Sequence, residues 1–134
     1  MRHFTPEEAN AALDEVRPVV EQMVEARRSH VAALERQEEL ESHIRGNGGG
    51  IPPAELAETA AEVERLEREL ARTVDELAEL GVQVKDLDEG LIDFPAIRRG
   101  ETVLLCWKLG EDDIAYWHTV EDGFAGRRPL PLDE

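Results

Sequence analysis

The chain has 134 residues, 31 acidic against 15 basic, a formal net charge of −16 and a single cysteine. Such a surface argues against nucleic acid or an anionic bilayer as a partner, because both are held through basic residues. No apolar run approaches the roughly 20 residues that span a bilayer, and the N-terminus has no signal-peptide core. One cysteine also makes no internal disulfide, so a soluble cytoplasmic protein of one folding unit is expected.

Thr5-Pro6-Glu7-Glu8 reads as a helix start. The Thr5 hydroxyl can accept from the Glu8 amide while the Glu8 carboxylate reaches back, forming a capping box. Pro6 falls on the first helical position, where its missing N–H costs nothing, and Phe4 can staple against Ala9. Apolar residues then recur at helical spacing through Leu13, Val16, Val20 and Met23, and again through Val31, Leu34, Leu40 and Ile44. Pro18 removes a backbone donor inside this pattern, so a kink is expected there, with two separate helices as the alternative. The Gly-rich turn at 46–50 is expected to be a mobile connector. A phosphate loop would need a preceding strand and a Lys-Ser/Thr pair.

Pro52-Pro53 opens a second long helix that reaches about Leu80 and stops at Gly81. Its stripe of Leu56, Ala60, Val63, Leu66, Leu70, Val74, Leu77 and Leu80 advances in steps of three and four, which is coiled-coil spacing. Residues 1–80 are therefore expected to form a long antiparallel helical hairpin. His3, His30 and His43 lack a second donor at ligand spacing and read as pairing or exposed histidines.

From residue 81 the period changes. Val82–Lys85, Leu91–Phe94, Thr102–Trp107 and Ile114–Val120 are short β-branched and aromatic runs between Gly and Asp punctuation, and Pro95 breaks the second. The expectation for 81–134 is an antiparallel sheet of three to four strands with an irregular tail. The fold class is α+β.

The chemically capable side chains collect in this last part: both Trp, the one Cys, the one Tyr and His118. Side chains alternate between faces along a strand. One register sets Cys106 opposite His118 and Trp107 opposite Trp117, with Cβ atoms about 4.5–5.5 Å apart. Thiolate and imidazole are donors for a borderline-soft divalent metal such as zinc or iron. Asp93, Glu111 and Glu121 are the carboxylates available to join them. The bland alternatives are a buried core cysteine, a histidine satisfying a core hydrogen bond, and a salt bridge from Asp93 to Arg98 or Arg127. A Cys106–His118 nucleophile pair is a weaker option, since no oxyanion hole is legible. Arg127 is a candidate contact for a small anionic ligand. Trp107, Tyr116 and Trp117 could line a pocket, and they equally suit the core or a subunit interface.

Gly90-Leu91-Ile92-Asp93-Phe94-Pro95, Leu105-Cys106-Trp107-Lys108-Leu109-Gly110-Glu111, Tyr116-Trp117-His118 and Gly123-Phe124-Ala125-Gly126-Arg127 resemble an uncharacterised bacterial family, domain of unknown function 2203. The opening Phe4-Thr5-Pro6-Glu7-Glu8-Ala9-Asn10 is similar to that family's N-terminus. The resemblance implies recurrent polar residues at Asp93, Cys106, Glu111, His118 and Arg127, and it implies no activity. Two functions are expected from the residues. One is a metal-binding protein, extending to a small metalloenzyme, centred on His118. The alternative is a non-catalytic homo-oligomeric scaffold or adaptor assembled through the coiled-coil helices.

Overall fold

A computed structural model of the chain describes residues 1–47, 50 and 52–132. Helix α1 spans Pro6–Asn47 and α2 spans Pro53–Glu79. Five strands follow among the described residues: β1 Gln83–Asp86, β2 Leu91–Arg98, β3 Glu101–Lys108, β4 Tyr116–Thr119 and β5 Arg128–Pro129. They form one antiparallel sheet in the order β1-β2-β3-β4-β5. A single 3₁₀ turn, Phe124–Gly126, precedes β5.

The capping box forms at the start of α1. The Glu8 amide donates to the Thr5 hydroxyl at 3.1 Å, and the Thr5 amide donates to the Glu8 carboxylate at 2.9 Å. Pro18 sits inside one continuous helix, so the two-helix alternative does not hold. Val16, Val19 and Val20 around it are all buried, and this packing holds the turn that proline would otherwise weaken. Gln22 meets Arg72 while His30 meets Glu67, so α2 runs antiparallel to α1. Helix α2 ends on Gly81, whose φ of +88° suits glycine. The Gly81 amide donates to the Ala78 carbonyl and the Val82 amide to that of Leu77, closing a Schellman motif. Of the Gly-rich turn expected at 46–50, α1 takes in Gly46, and residues 48 and 49 lie outside the described residues.

The hairpin lies across one face of the sheet. Leu13, Val16, Val20 and Met23 of α1 and Leu77 of α2 join Ile92, Phe94, Leu105, Trp107 and Trp117 in one buried cluster. A smaller cluster of Ala33, Val63 and Leu66 lies farther along the hairpin. Both tryptophans are core residues, 0% and 2% exposed, which places them away from any ligand surface.

Three expectations need correction. The sheet has five strands, not three or four, because β5 is a two-residue strand inside the tail read as irregular. Two residues, Arg128 and Pro129, carry no alternation to read. Strand β2 also runs through Pro95 to Arg98 instead of stopping there. Beyond Asp93 the β1 partner has ended, and the Pro95 carbonyl accepts from the Phe4 amide at 2.7 Å. The proline nitrogen therefore points to an edge where no ladder bond is due. Finally, the β3–β4 register pairs Cys106 with Tyr116, Leu105 with Trp117 and Leu104 with His118. This is a shift of two residues from the expected register.

Candidate metal centre

A two-residue shift preserves the face, because the side-chain period of a strand is two. Directly opposed residues share a face, so the β2–β3 pairs Asp93↔Cys106 and Pro95↔Leu104 continue into Cys106↔Tyr116 and Leu104↔His118. Asp93, Cys106 and His118 thus stand on three adjacent strands, on the face away from the helices. The Ile92, Phe94, Leu105 and Trp117 positions between them turn to the core. Cys106 faces Asp93 directly and His118 lies one diagonal step away. Diagonal neighbours are within reach of a ring the size of imidazole.

The three side chains are 1%, 0% and 3% exposed. Among the described residues they form the one group of three or more His, Cys, Asp or Glu side chains whose donor atoms all lie within 4.8 Å of one another. His118 Nε2 is 3.1 Å from each carboxylate oxygen of Asp93. Its Nδ1 is 2.7 Å from the Thr119 carbonyl oxygen. A carbonyl only accepts, so Nδ1 carries a hydrogen and Nε2 is the atom turned to Asp93. With both ring nitrogens engaged, neither is offered to Cys106 as a base.

Burial pushes the Cys106 thiol up to about 12, the Asp93 carboxylate adds to this, and the Arg127 guanidinium pulls the other way. An uncoordinated Cys106 is therefore a protonated thiol near neutrality, unlike an activated nucleophile. The Cys–His nucleophile option fails on this charge and on the use of the imidazole.

Glu111 and Arg127 form a second layer. Arg127 Nη1 and Nη2 donate to the two oxygens of Glu111 at 2.9 and 2.8 Å, and Nη2 reaches the Cys106 carbonyl at 3.4 Å. Glu111 also accepts from the Lys108 amide at 2.8 Å. Burial raises the Glu111 carboxyl, but Arg127 and the Lys108 amide outweigh it and hold the group below its ordinary value. Glu111 is thus committed to Arg127 and stands outside the Asp93–Cys106–His118 group. Glu121 is exposed and borders a different surface hollow of about 540 Å³, beside Arg98, Arg99 and Thr119. Neither glutamate belongs to the Asp93–Cys106–His118 group. Asp93 pairs with His118.

Tyr116 is 37% exposed and lies 4.2 Å from the Arg127 guanidinium, which Phe124 meets at 4.7 Å on its own ring. The Thr119 carbonyl that orients His118 is not legible in the sequence, since a backbone acceptor leaves no mark in the residue types. His30, expected to be an exposed or pairing histidine, is buried between the helices at 3.4 Å from Glu67. His3 meets the Thr102 hydroxyl at 3.2 Å.

No helix among the described residues is long and apolar enough to cross a membrane. A family model described as an uncharacterised conserved protein (DUF2203) matches residues 2–130. Comparison with curated proteins and with solved structures found no match in either.

Proposed function

The chain belongs to the uncharacterised conserved protein family DUF2203, and we propose that it binds a divalent transition metal, zinc or iron, through Asp93, Cys106 and His118. The aim of His118 carries this reading. Its Nδ1–H is spent on the Thr119 carbonyl, so a neutral ring turns a bare Nε2 lone pair toward two carboxylate oxygens 3.1 Å away. A lone pair and a carboxylate repel unless a cation stands with them. A metal ion supplies that charge, with Cys106 as a third donor. A metal-bound histidine characteristically gives its other N–H to a carbonyl or carboxylate, which fixes the ring and raises its basicity.

The donor set suits this class of ion. Sulfur and nitrogen favour zinc or iron over magnesium or calcium. Three mixed protein ligands also resemble open zinc sites, whose fourth position is left to water or substrate. Donor atoms of a tetrahedral zinc site lie roughly 3.3–3.8 Å apart. The group here, already within 4.8 Å, needs only a modest contraction.

Elemental analysis of the untagged protein, beside Asp93→Asn, Cys106→Ser and His118→Ala, tests the reading. The expected result is about one metal ion per chain in the wild type and a large loss in each variant. A wild type that stays metal-free after incubation with zinc and iron salts would overturn it, as would metal retained in all three variants.

A further inference from the structure

Among the described residues, Arg127 is the cation that acts on Cys106 from outside the ligand group. It is held between Tyr116 and Phe124 and anchored by Glu111 through both terminal nitrogens, and it leans one of these on the Cys106 carbonyl. Its third nitrogen differs. Nε is buried and has no hydrogen-bond partner. Buried donors are nearly always satisfied in native proteins, and an exception calls for a water, an ion or a ligand that completes it.

Resting on the metal reading above, we propose that the metal's fourth position takes a small monoanion, received by the Nε–H of Arg127. A thiolate, a carboxylate and a neutral imidazole already balance a divalent ion, and Glu111 balances Arg127. The site is then neutral before an anion enters, so a monoanion adds the least uncompensated charge and the free Nε–H must supply its recognition. The three ligands are at most 3% exposed, so the anion has few atoms, as in azide, formate or hydrogencarbonate. The surrounding charge of −16 gives anions no long-range attraction, and selectivity rests on this local donor.

Azide titrated into the cobalt(II)-loaded full chain at constant ionic strength tests this, read by the ligand-field absorption. The wild type should show a saturable spectral change. Arg127→Gln should take up cobalt yet need about tenfold more azide for half-saturation, the loss of a charge-assisted hydrogen bond. Arg127→Lys, which keeps the charge and is the milder change for folding, should be weakened too because it lacks the guanidinium fork. An unchanged wild-type spectrum, or equal half-saturation in wild type and both variants, would overturn the inference while leaving the metal site intact. Failure of the wild type to take up cobalt would instead overturn the metal reading, and this inference with it.

Discussion

His118 Nε2 stands 3.1 Å from both oxygens of Asp93, with the two side chains only 4% and 1% exposed. A buried pair of this kind is worth little in net terms, yet removing one member strands the other. In metal-free protein His118→Ala should cost about 3–5 kcal/mol, because it takes the imidazole from a carboxylate that stays buried. Adding Asp93→Asn to it should recover part of that loss. Urea denaturation of the two single variants and the double variant measures the coupling. Strictly additive losses would count against a coupled pair.

Acid should act through Glu111. Its folded-state value lies below the ordinary 4.5, so ionised Glu111 stabilises the fold above that pH. The contribution is lost as pH falls through the folded value. Wild-type stability should therefore decline more steeply below about pH 4.5 than that of Glu111→Gln, whose neutral amide does not titrate. Urea midpoints followed from neutrality into acid decide this, and parallel declines would contradict it.

Leu66 is 5% exposed and packs with Ala33 and Val63 within one chain. Leu66→Ala should cost about 2–4 kcal/mol through the cavity it leaves. This small cluster is separate from the core over the sheet. Faster amide exchange should therefore be confined to the outer hairpin, with strand amides keeping their protection. Uniform loss of protection would show instead that hairpin and sheet open together.

Gly90 and Gly100 make a paired test of close approach. Both have positive φ, +69° and +78°. A Cβ on Gly90 would meet Leu109 at 2.9 Å and Val20 and Val24 at 3.0 Å, whereas one on Gly100 meets nothing within 4 Å. Gly100→Ala should cost about 1–2 kcal/mol, the left-handed penalty alone. Gly90→Ala adds overpacking of about 1–3 kcal/mol. Thermal melts of both variants compare them, and equal losses would mean that α1 and the β1–β2 turn give way freely.

Much of the site was legible before the structure. Cys106 and His118 stand out as rare, polar residues in β-forming runs, and Asp93 as a carboxylate within an apolar one. Alternation with an assumed register put Cys106 and His118 on one face, and it did not place Asp93 beside them. It could not choose among glutamates, because Glu111 and Glu121 differ in what lies near them and not in residue type. Arg127 settles that choice for Glu111 by taking both of its oxygens. Strand β2 running through Pro95 was equally hidden, since the missing donor is harmless only because β1 has ended before it.

Period and capping are local properties, so the residues by themselves determined the helical hairpin, the change to strands after Gly81 and the two faces of each strand. Register and proximity are properties of the assembled sheet. A step of two along β4 changes which residue lies opposite Cys106 yet leaves every side chain on its face, so alternation carries no information about it. Only the tertiary structure could set Asp93 directly across from Cys106 and turn His118 to Asp93 through the Thr119 carbonyl. The long-range contacts that decide this join segments 25 residues apart, beyond what any local pattern encodes.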